Sequence, residues 1–391
     1  MSTPERLQYA KGIYGEEEKV AVRRSLDSGW LSNGLETLSF ESEFASWWGV
    51  KYALSVNSGS SANLVALQSL GLSQGSEVIT PAGGAFPTTI SPMIYLGLRP
   101  SLVDNKGLLI DVDKIEQAIT PSTRAIMFAH TLGQVADMDR IMNIAKKHNL
   151  KVLTDCCDST GSQYKGERSG IIGDVSTVSF YPAHHMTTGE GGMVLTNDYR
   201  IYREALSIRD WGRDCTCRMD MPQPRCQDRW RNSEFDHRYY YTRVGLNFKM
   251  NEMTAAFGRE QLKRLDGFIE LRRRNYDILA TELGEPLCGE VSPFAYPLYS
   301  KTRNEDMQAL EQAGIESRVL FGGNIFLHPA YKDITVRITD GNIQSLGRYR
   351  KGFLPNSERI FKEAYFVGVG PHLTEDNMHY IAQKIKGLKQ I

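Results

Sequence analysis

Two adjacent histidines, His184 and His185, stand in a segment that joins two apolar runs. The runs are Val175 to Phe180 and Met193 to Leu195, and Thr-Thr-Gly-Glu-Gly-Gly lies between them at residues 187–192. This pattern predicts a strand, a turn and a second strand. Glycine permits positive φ values and a close approach of the backbone to a bulky group. An imidazole at such a turn can move a proton at neutral pH, so the segment is a candidate for acid–base catalysis.

Cysteines form a second candidate site. Cys215, Cys217 and Cys226 fall within residues 213–241, a stretch that is dense in proline and arginine and has neither helical nor strand periodicity. Cys157 lies earlier, with 57 residues between it and Cys215. Four thiolates are the usual ligands of a 2Fe-2S cluster, and they suit zinc equally well. Unliganded buried thiols and disulfides are the other interpretations of this group.

Cys156 competes with Cys157 for a place in any such site. The two residues follow one another at the end of a predicted strand. Successive side chains of a strand point to opposite faces of its sheet, so only one of the two can serve as a ligand.

Strands that alternate with helices over about the first 200 residues must position these groups. The predicted strands are 51–56, 78–81, 100–104, 125–129 and 151–158, and helices are predicted at 38–48 and 138–148. Such alternation predicts a largely parallel sheet with helices on both faces. Ligands of such sheets bind at the carboxyl ends of the strands, where Asp155 lies. Capping of a helix is the alternative role of Asp155.

Two further segments have the chemistry to hold a ligand at that edge. Ser58, Gly59 and Ser60 open a predicted helix, whose free N–H groups attract phosphate, although many helices begin in this way. Phe86 follows the strand that ends at Pro81. Its aromatic face is suited to stacking on a flat heteroaromatic ring, and a core position is the alternative.

The composition limits the class of protein. The chain has 391 residues, 41% of them hydrophobic and 24% charged, which is typical of a globular protein of about two domains. Its formal net charge of zero does not favour binding to nucleic acid or membranes. We find no apolar signal segment and no run of the ~20 apolar residues that a membrane span needs. We therefore expect a cytoplasmic protein, in which clustered cysteines indicate metal binding or catalysis rather than disulfides.

The turn at residues 179–192 resembles the cofactor-lysine segment of the pyridoxal-phosphate sugar aminotransferase/dehydratase family. Members usually read Ser-Phe-x-x-x-Lys-x-x-Thr-Thr-Gly-Glu-Gly-Gly, whereas this chain has His184 where the lysine is expected. Without a lysine amine there is no internal Schiff base, so ordinary transamination is not expected. The sugar 3-dehydratases of the family carry this Lys-to-His replacement, and the resemblance therefore narrows to them.

The resemblance also implies roles for other residues. Asp155 precedes His184 by 29 residues, as the pyridinium-pairing aspartate of the family precedes its lysine. A carboxylate there keeps the cofactor ring protonated as an electron sink. Asn247 matches an asparagine that reaches the cofactor phosphate of the neighbouring subunit, which implies a homodimer. The implied cofactor-binding residues are Gly59, Ser60, Phe86, Asp155, Ser179 and Asn247, and the implied substrate contacts are Arg318 and Asn324.

The cysteine spacing resembles that of the iron–sulfur branch of these dehydratases, which acts on CDP-4-keto-6-deoxyglucose. The pattern of that branch is Cys-x57-Cys-x-Cys-x7-Cys, whereas eight residues precede the last cysteine of this chain. The resemblance implies that Cys157, Cys215, Cys217 and Cys226 hold a 2Fe-2S cluster, and it favours Cys157 over Cys156.

The fold expected from this resemblance is α/β and aspartate-aminotransferase-like, that is, fold type I of the pyridoxal-phosphate enzymes. A large cofactor-binding domain with a mixed, mostly parallel sheet is expected at residues 1–265, including the cysteine-rich insertion at 213–241. A smaller α+β domain is expected at residues 266–391. A long helix predicted at Gly258–Leu283 leads from one domain to the other.

The expected function is C3 dehydration of a nucleotide-linked 4-keto-6-deoxyhexose. It would use pyridoxamine phosphate, with His184 as the base, and a 2Fe-2S cluster that receives electrons from a flavin or iron–sulfur reductase. A cluster-free, glutamate-driven GDP-4-keto-6-deoxymannose 3-dehydratase is the first alternative. A non-catalytic, metal-stabilised relative that binds a nucleotide sugar is the second.

Overall fold

The computed structural model describes residues 6–215, 230, 236–284, 289–340 and 343–388. Its α-helices are α1 Glu16–Asp27, α2 Leu35–Trp48, α3 Gly59–Ser69, α4 Pro87–Tyr95, α5 Val112–Ile115, α6 Met138–His148, α7 Tyr199–Arg209, α8 Glu252–Leu283, α9 Arg303–Gln312, α10 Pro355–Glu363 and α11 Glu375–Leu388. None of the helices in these ranges combines the length and the apolar character needed to cross a bilayer.

The strands belong to two main sheets and two small hairpins. They are β1 Tyr52–Val56, β2 Glu77–Pro81, β3 Arg99–Val103, β4 Asn105–Lys106, β5 Leu109–Ile110, β6 Thr123–Ala129, β7 Lys151–Asp155, β8 Gln163–Tyr164, β9 Glu167–Arg168, β10 Val175–Ser179, β11 Gly192–Thr196, β12 Ala295–Tyr299, β13 Ser317–Val319, β14 Val336–Asp340, β15 Ile343–Gly347 and β16 Ala364–Gly368.

The larger sheet has the order β1-β11-β10-β7-β6-β2-β3-β14-β15. From β10 to β14 all neighbouring strands run parallel, and the antiparallel pairs lie at the two edges. This arrangement confirms the predicted mixed, mostly parallel sheet. In this sheet the carboxyl ends of β7 and β10, which carry Asp155 and Ser179, lie side by side at one edge.

Helices cover both faces of this sheet because the central strands are apolar on both sides. In β6, Ala125 and Met127 pack in a cluster with residues of α3 and α7. The alternate residues Ile126 and Phe128 pack in another cluster, with residues of α6. The period of two along the strand therefore separates two cores.

The smaller sheet is antiparallel, with the order β12-β16-β13. It packs with α9, α11 and the C-terminal part of α8 around a third core. The hairpin of β14 and β15 joins the larger sheet, where Arg337 pairs with Ser101 of β3, so the chain after residue 265 contributes to both sheets. The division into domains at residue 265 stays a prediction.

Candidate active site

A cavity of about 620 Å³ opens at the carboxyl ends of β7 and β10, between the larger sheet and the smaller one. A volume of this size suits a bound organic molecule. The residues predicted from the sequence that line it are Gly59, Ser60, Phe86, Asp155, Cys157, Ser179, His184 and Arg318. The structure therefore brings residues from distant parts of the chain to one place.

The start of α3 forms one end of the cavity. The Oγ atom of Ser58 accepts a hydrogen bond from the backbone N–H of Ser61 at 3.1 Å and so caps the helix. The first N–H groups of a helix have no partner within it, and the helix dipole favours an anion there. A Cβ atom on Gly59 would stand 2.5 Å from the Cβ of Ser179, so only glycine allows this close approach to β10. This end is suited to a phosphate group.

Asp155 lies on the floor of the cavity and is 5% exposed. Its Oδ2 atom accepts hydrogen bonds from Asn63 Nδ2 and Thr89 Oγ1, both at 2.8 Å. Its Oδ1 atom accepts one from the backbone N–H of Cys157 at 3.1 Å. These donors fix the orientation of a carboxylate that can pair with a cationic ring nitrogen.

The two residues that support Asp155 were not predicted as site residues. Asn63 comes four residues after Gly59 on α3, so the two residues lie on the same face of the helix. This spacing was the sequence signal from which Asn63 could have been predicted. Thr89 lies in the first turn of α4, and no local pattern connects it with Asp155.

His184 lines the cavity beside Asp158 and Phe294. Its Nδ1 atom is 3.7 Å from Asp158 Oδ1, which is too far for a hydrogen bond, and its ring centre is 5.3 Å from that of Phe294. Burial, and then the charge of Arg272, lowers the pKa of His184 to about 3. Burial, and then the charge of Asp155, raises the pKa of Asp158 to about 7. The imidazole is therefore neutral at pH 7, and the same burial makes it a weaker base than a free imidazole.

His185 has a different environment from its neighbour. It is 2% exposed, and its Nε2 atom lies 3.1 Å from the carbonyl oxygen of Ser292. It does not line the large cavity that His184 lines. The structure therefore separates a histidine at the cavity from one that is held in the interior.

Arg272 of α8 is a further residue that the sequence did not reveal. It is 3% exposed and donates hydrogen bonds to backbone carbonyls around His184. Burial lowers the pKa of its guanidinium to about 10, so it is charged at neutral pH. It stands in the run Arg272-Arg273-Arg274, which gives no local sign of which arginine is buried.

The cysteines that the structure describes differ in burial and in their position relative to the cavity. Cys157 lines the cavity, whereas Cys156 is fully buried in an apolar cluster, where burial raises the pKa of its thiol to about 12. Cys215 is half-buried, and Cys217 and Cys226 lie outside the described residues. Within the part of the chain that the structure describes, no three side chains of the ligating types are arranged to hold a metal ion.

The remaining predicted residues are at the rim or away from the cavity. Arg318 lines the rim, where its guanidinium lies 4.7 Å from the ring centre of Tyr9. Asn247 is exposed and outside the cavity lining. Asn324 is fully buried and accepts a hydrogen bond from the backbone N–H of Phe326 at 3.1 Å. The structure therefore does not bring Asn247 and Asn324 of this chain together with His184.

Comparison with known proteins agrees with this architecture. Residues 13–386 match the model of the DegT/DnrJ/EryC1/StrS aminotransferase family. The chain belongs to that family. This membership confirms the predicted pyridoxal-phosphate sugar aminotransferase/dehydratase family and its aspartate-aminotransferase-like fold.

Members of the family are similar over nearly the whole chain. The chain is 37% identical to the lipopolysaccharide biosynthesis protein RfbH of Salmonella typhimurium, over 96% of this chain and 90% of that protein. It is 39% identical to the dTDP-4-dehydro-2,6-dideoxy-D-glucose 3-dehydratase of Saccharopolyspora spinosa, over 98% and 86%. A GDP-4-keto-6-deoxymannose-3-dehydratase variant, solved with bound GDP-perosamine, matches with a TM-score of 0.84 at 28% identity, over 97% and 99%.

Proposed function

We propose that this protein is a pyridoxamine phosphate- and 2Fe-2S-dependent 3-dehydratase of a nucleotide-linked 4-keto-6-deoxyhexose, in the synthesis of 3,6-dideoxysugars. One observation carries the proposal. His184 lines the same cavity as Asp155 and the start of α3, and no lysine is present among the described residues of that lining. Similarity to two proteins named as sugar 3-dehydratases supports the same reaction.

The cavity residues fit a pyridoxamine phosphate group. The N–H groups of Gly59 and Ser60, together with Ser179, would hold its phosphate. Asp155 would pair with its ring nitrogen, and Phe86 would stack on the ring. In a homodimer, Asn247 would reach the phosphate bound by the other subunit. When bound, this group supplies an amine that condenses with a ketone and a ring that withdraws electrons.

His184 would move the protons of the reaction. Its imidazole would accept a proton from the carbon next to the cofactor amine and donate one to the C3 oxygen of the sugar, which leaves as water. The complete change replaces the C3 hydroxyl with hydrogen and consumes two electrons and two protons.

Two residues were predicted to contact the substrate. Arg318, at the cavity rim, would contact the nucleotide or the sugar. Asn324 is the weaker of the two predicted contacts because it is buried as a helix cap.

A flavin or iron–sulfur reductase would provide the two electrons. Cys157, Cys215, Cys217 and Cys226 would hold a 2Fe-2S cluster, a group whose chemistry is the transfer of single electrons. The location of Cys157 in the same cavity lining as His184 supports this part of the proposal. The full burial of Cys156 in an apolar cluster favours Cys157 as the ligand.

A glutamate-driven dehydratase without a cluster is the second candidate. Similarity to the GDP-4-keto-6-deoxymannose-3-dehydratase structure favours it. This candidate predicts turnover with glutamate and no external reductant. A non-catalytic nucleotide-sugar-binding relative predicts instead that no 4-keto sugar changes the absorbance of the bound cofactor.

Absorption spectra, with iron and sulfide assays, test whether the protein holds the proposed 2Fe-2S cluster. We expect protein purified without oxygen to contain about two irons and two sulfides per chain and to bleach with dithionite. We expect Cys157→Ser to lose the iron, and Cys156→Ser, the matched control in the apolar core, to keep it. Protein without iron would overturn the cluster and leave the glutamate-driven dehydratase as the better candidate.

A further inference from the structure

A fully buried guanidinium, that of Arg272, joins the two segments that surround His184. Its Nη2 atom donates to the carbonyl oxygens of Ala183 at 3.2 Å and His184 at 2.9 Å. Its Nη1 atom donates to the carbonyl oxygen of Phe294 at 2.9 Å. One side chain therefore holds the turn that carries the imidazole and also the residue whose ring packs against it.

Burial of this charge needs a specific explanation. Removing a charged group from water is costly unless hydrogen bonds satisfy it. The hydrogen bonds of Arg272 named above all end on backbone carbonyls, and the charge of Asp158 also favours the charged guanidinium. The planar fork of a guanidinium can bond to several acceptors at once, whereas a lysine ammonium is a point charge on a flexible stem.

The position of Arg272 in the fold makes it a rigid attachment point. It lies in α8, a helix of 32 residues that packs against α1 and α2 at one end and against α11 at the other. His184, in contrast, lies in the segment between β10 and β11, outside any regular element. The guanidinium thus anchors an irregular segment at the cavity to a long helix.

We propose that Arg272 is a positioning residue, which holds the His184 imidazole at the distance and angle needed for proton transfer. The inference rests on the proposed function, because it assumes that His184 moves the proton. Arg272 itself does not line the large cavity. A misplacement of about 1 Å at a reacting group can cost on the order of 100-fold in rate, and this sets the size of the expected effect.

The test uses Arg272→Lys and Arg272→Met, with Arg273→Met as the matched control. Arg273 is the next residue of α8 and also donates to a backbone carbonyl, that of Val291 at 2.7 Å, but it faces a groove away from the cavity. The holoenzyme is assayed with dithionite or glutamate and with CDP-, GDP- and dTDP-linked 4-keto-6-deoxyhexoses. For Arg272→Lys we expect kcat about 100-fold lower, KM within about threefold, and unchanged cofactor absorbance. The control should match the wild type.

A double-variant comparison separates positioning from a general structural role. If Arg272 acts through His184, then Arg272→Lys should not lower the residual rate of a His184→Asn protein any further. An additional 100-fold loss in that background would overturn the proposal. So would an unchanged kcat in Arg272→Lys, or a loss of cofactor binding that accounts for the whole effect. If Arg272→Met does not fold, Arg272→Lys alone decides the question.

Proton NMR of the imidazole groups provides a readout that does not depend on turnover. The His184 signal is identified by its loss in His184→Asn, and exposed His379, which pairs with Glu282 on the surface, serves as the reference. We expect Arg272→Lys to shift or broaden the His184 signal and to leave the His379 signal in place. An unchanged His184 signal would contradict the inference. Full turnover by His184→Asn would remove the proposed base, and the NMR result would still show whether Arg272 holds this ring.

Discussion

At the scale of single residues, two neighbouring histidines have different environments. His184 faces a cavity that also contains Asp155, whereas His185 is hydrogen-bonded to the carbonyl oxygen of Ser292 in the interior. Burial lowers the pKa of both imidazoles, and only His184 is at the cavity where a substrate would bind. The sequence placed both at the mouth of one turn, but it had no signal for their different environments, which depend on contacts with residues about 90 to 110 positions away.

This difference leads to a prediction for the two histidines. We expect His184→Asn to keep the cofactor bound and to lower turnover by about 10²–10⁴-fold, the usual contribution of a proton-transfer group. His185→Asn is the matched control, and its main effect should be on the thermal midpoint, because its partner is a structural carbonyl. Product formation and cofactor absorbance are measured on both variants. Retained turnover in His184→Asn would refute the assignment of the base.

At the scale of secondary-structure elements, periodicity predicted which elements form, and distant contacts decided where they begin. The helix predicted at 138–148 is confirmed as α6. In contrast, α2 begins at Leu35 rather than at residue 38, because the Glu252 carboxylate accepts hydrogen bonds from the backbone N–H groups of Gly34, Glu36 and Thr37. Glu252 itself opens α8, which begins six residues before the predicted Gly258. A partner more than 200 residues away leaves no mark on local periodicity.

The contact between α3 and β10 gives a prediction at this scale. A methyl group on Gly59 would stand 2.5 Å from the Cβ of Ser179, so Gly59→Ala must displace the start of α3 from the strand. Overpacking of this kind costs about 1–3 kcal/mol. Since the same helix start would hold the cofactor phosphate, we expect the Kd for pyridoxal phosphate to rise about 10- to 100-fold.

Gly267→Ala is the control for this substitution. Gly267 lies within α8 and has open space around its Cα, so an added methyl group meets no atom within 4 Å. Alanine is favoured over glycine by about 1 kcal/mol in a helix interior, and this variant should therefore be at least as stable as the wild type. Absorbance titrations with pyridoxal phosphate compare the two variants. Equal affinity for the cofactor in both would contradict a phosphate site at the start of α3.

At the scale of the whole molecule, the alternation of strands and helices predicted the parallel sheet, and the strand ends predicted the location of the site. Asp155, Ser179 and Gly59 meet because parallel strands end at the same edge. The wall formed by Tyr9 and Phe321 was not predicted. It depends on how the smaller sheet and the N-terminal segment pack across the cavity, where the backbone of Leu7 pairs with that of Ile315. Contacts between separate layers cannot be predicted from the periodicity of a single helix or strand.

The proposed homodimer gives the last prediction. Asn247 is exposed, and next to it are two large apolar side chains, Val244 at 84% and Leu246 at 60% exposure. If a second copy covers this surface, Val244→Asp and Leu246→Asp would bury a charge at the interface and favour the monomer. They should also weaken cofactor binding, because Asn247 would no longer reach the phosphate in the other subunit. Tyr95→Asp, at 83% exposure, is the control. Sedimentation at micromolar concentration and cofactor titration are measured on the same samples. Dimers that persist in both variants would show that the interface lies elsewhere. Monomers that bind the cofactor normally would show that Asn247 does not contribute to the cofactor site.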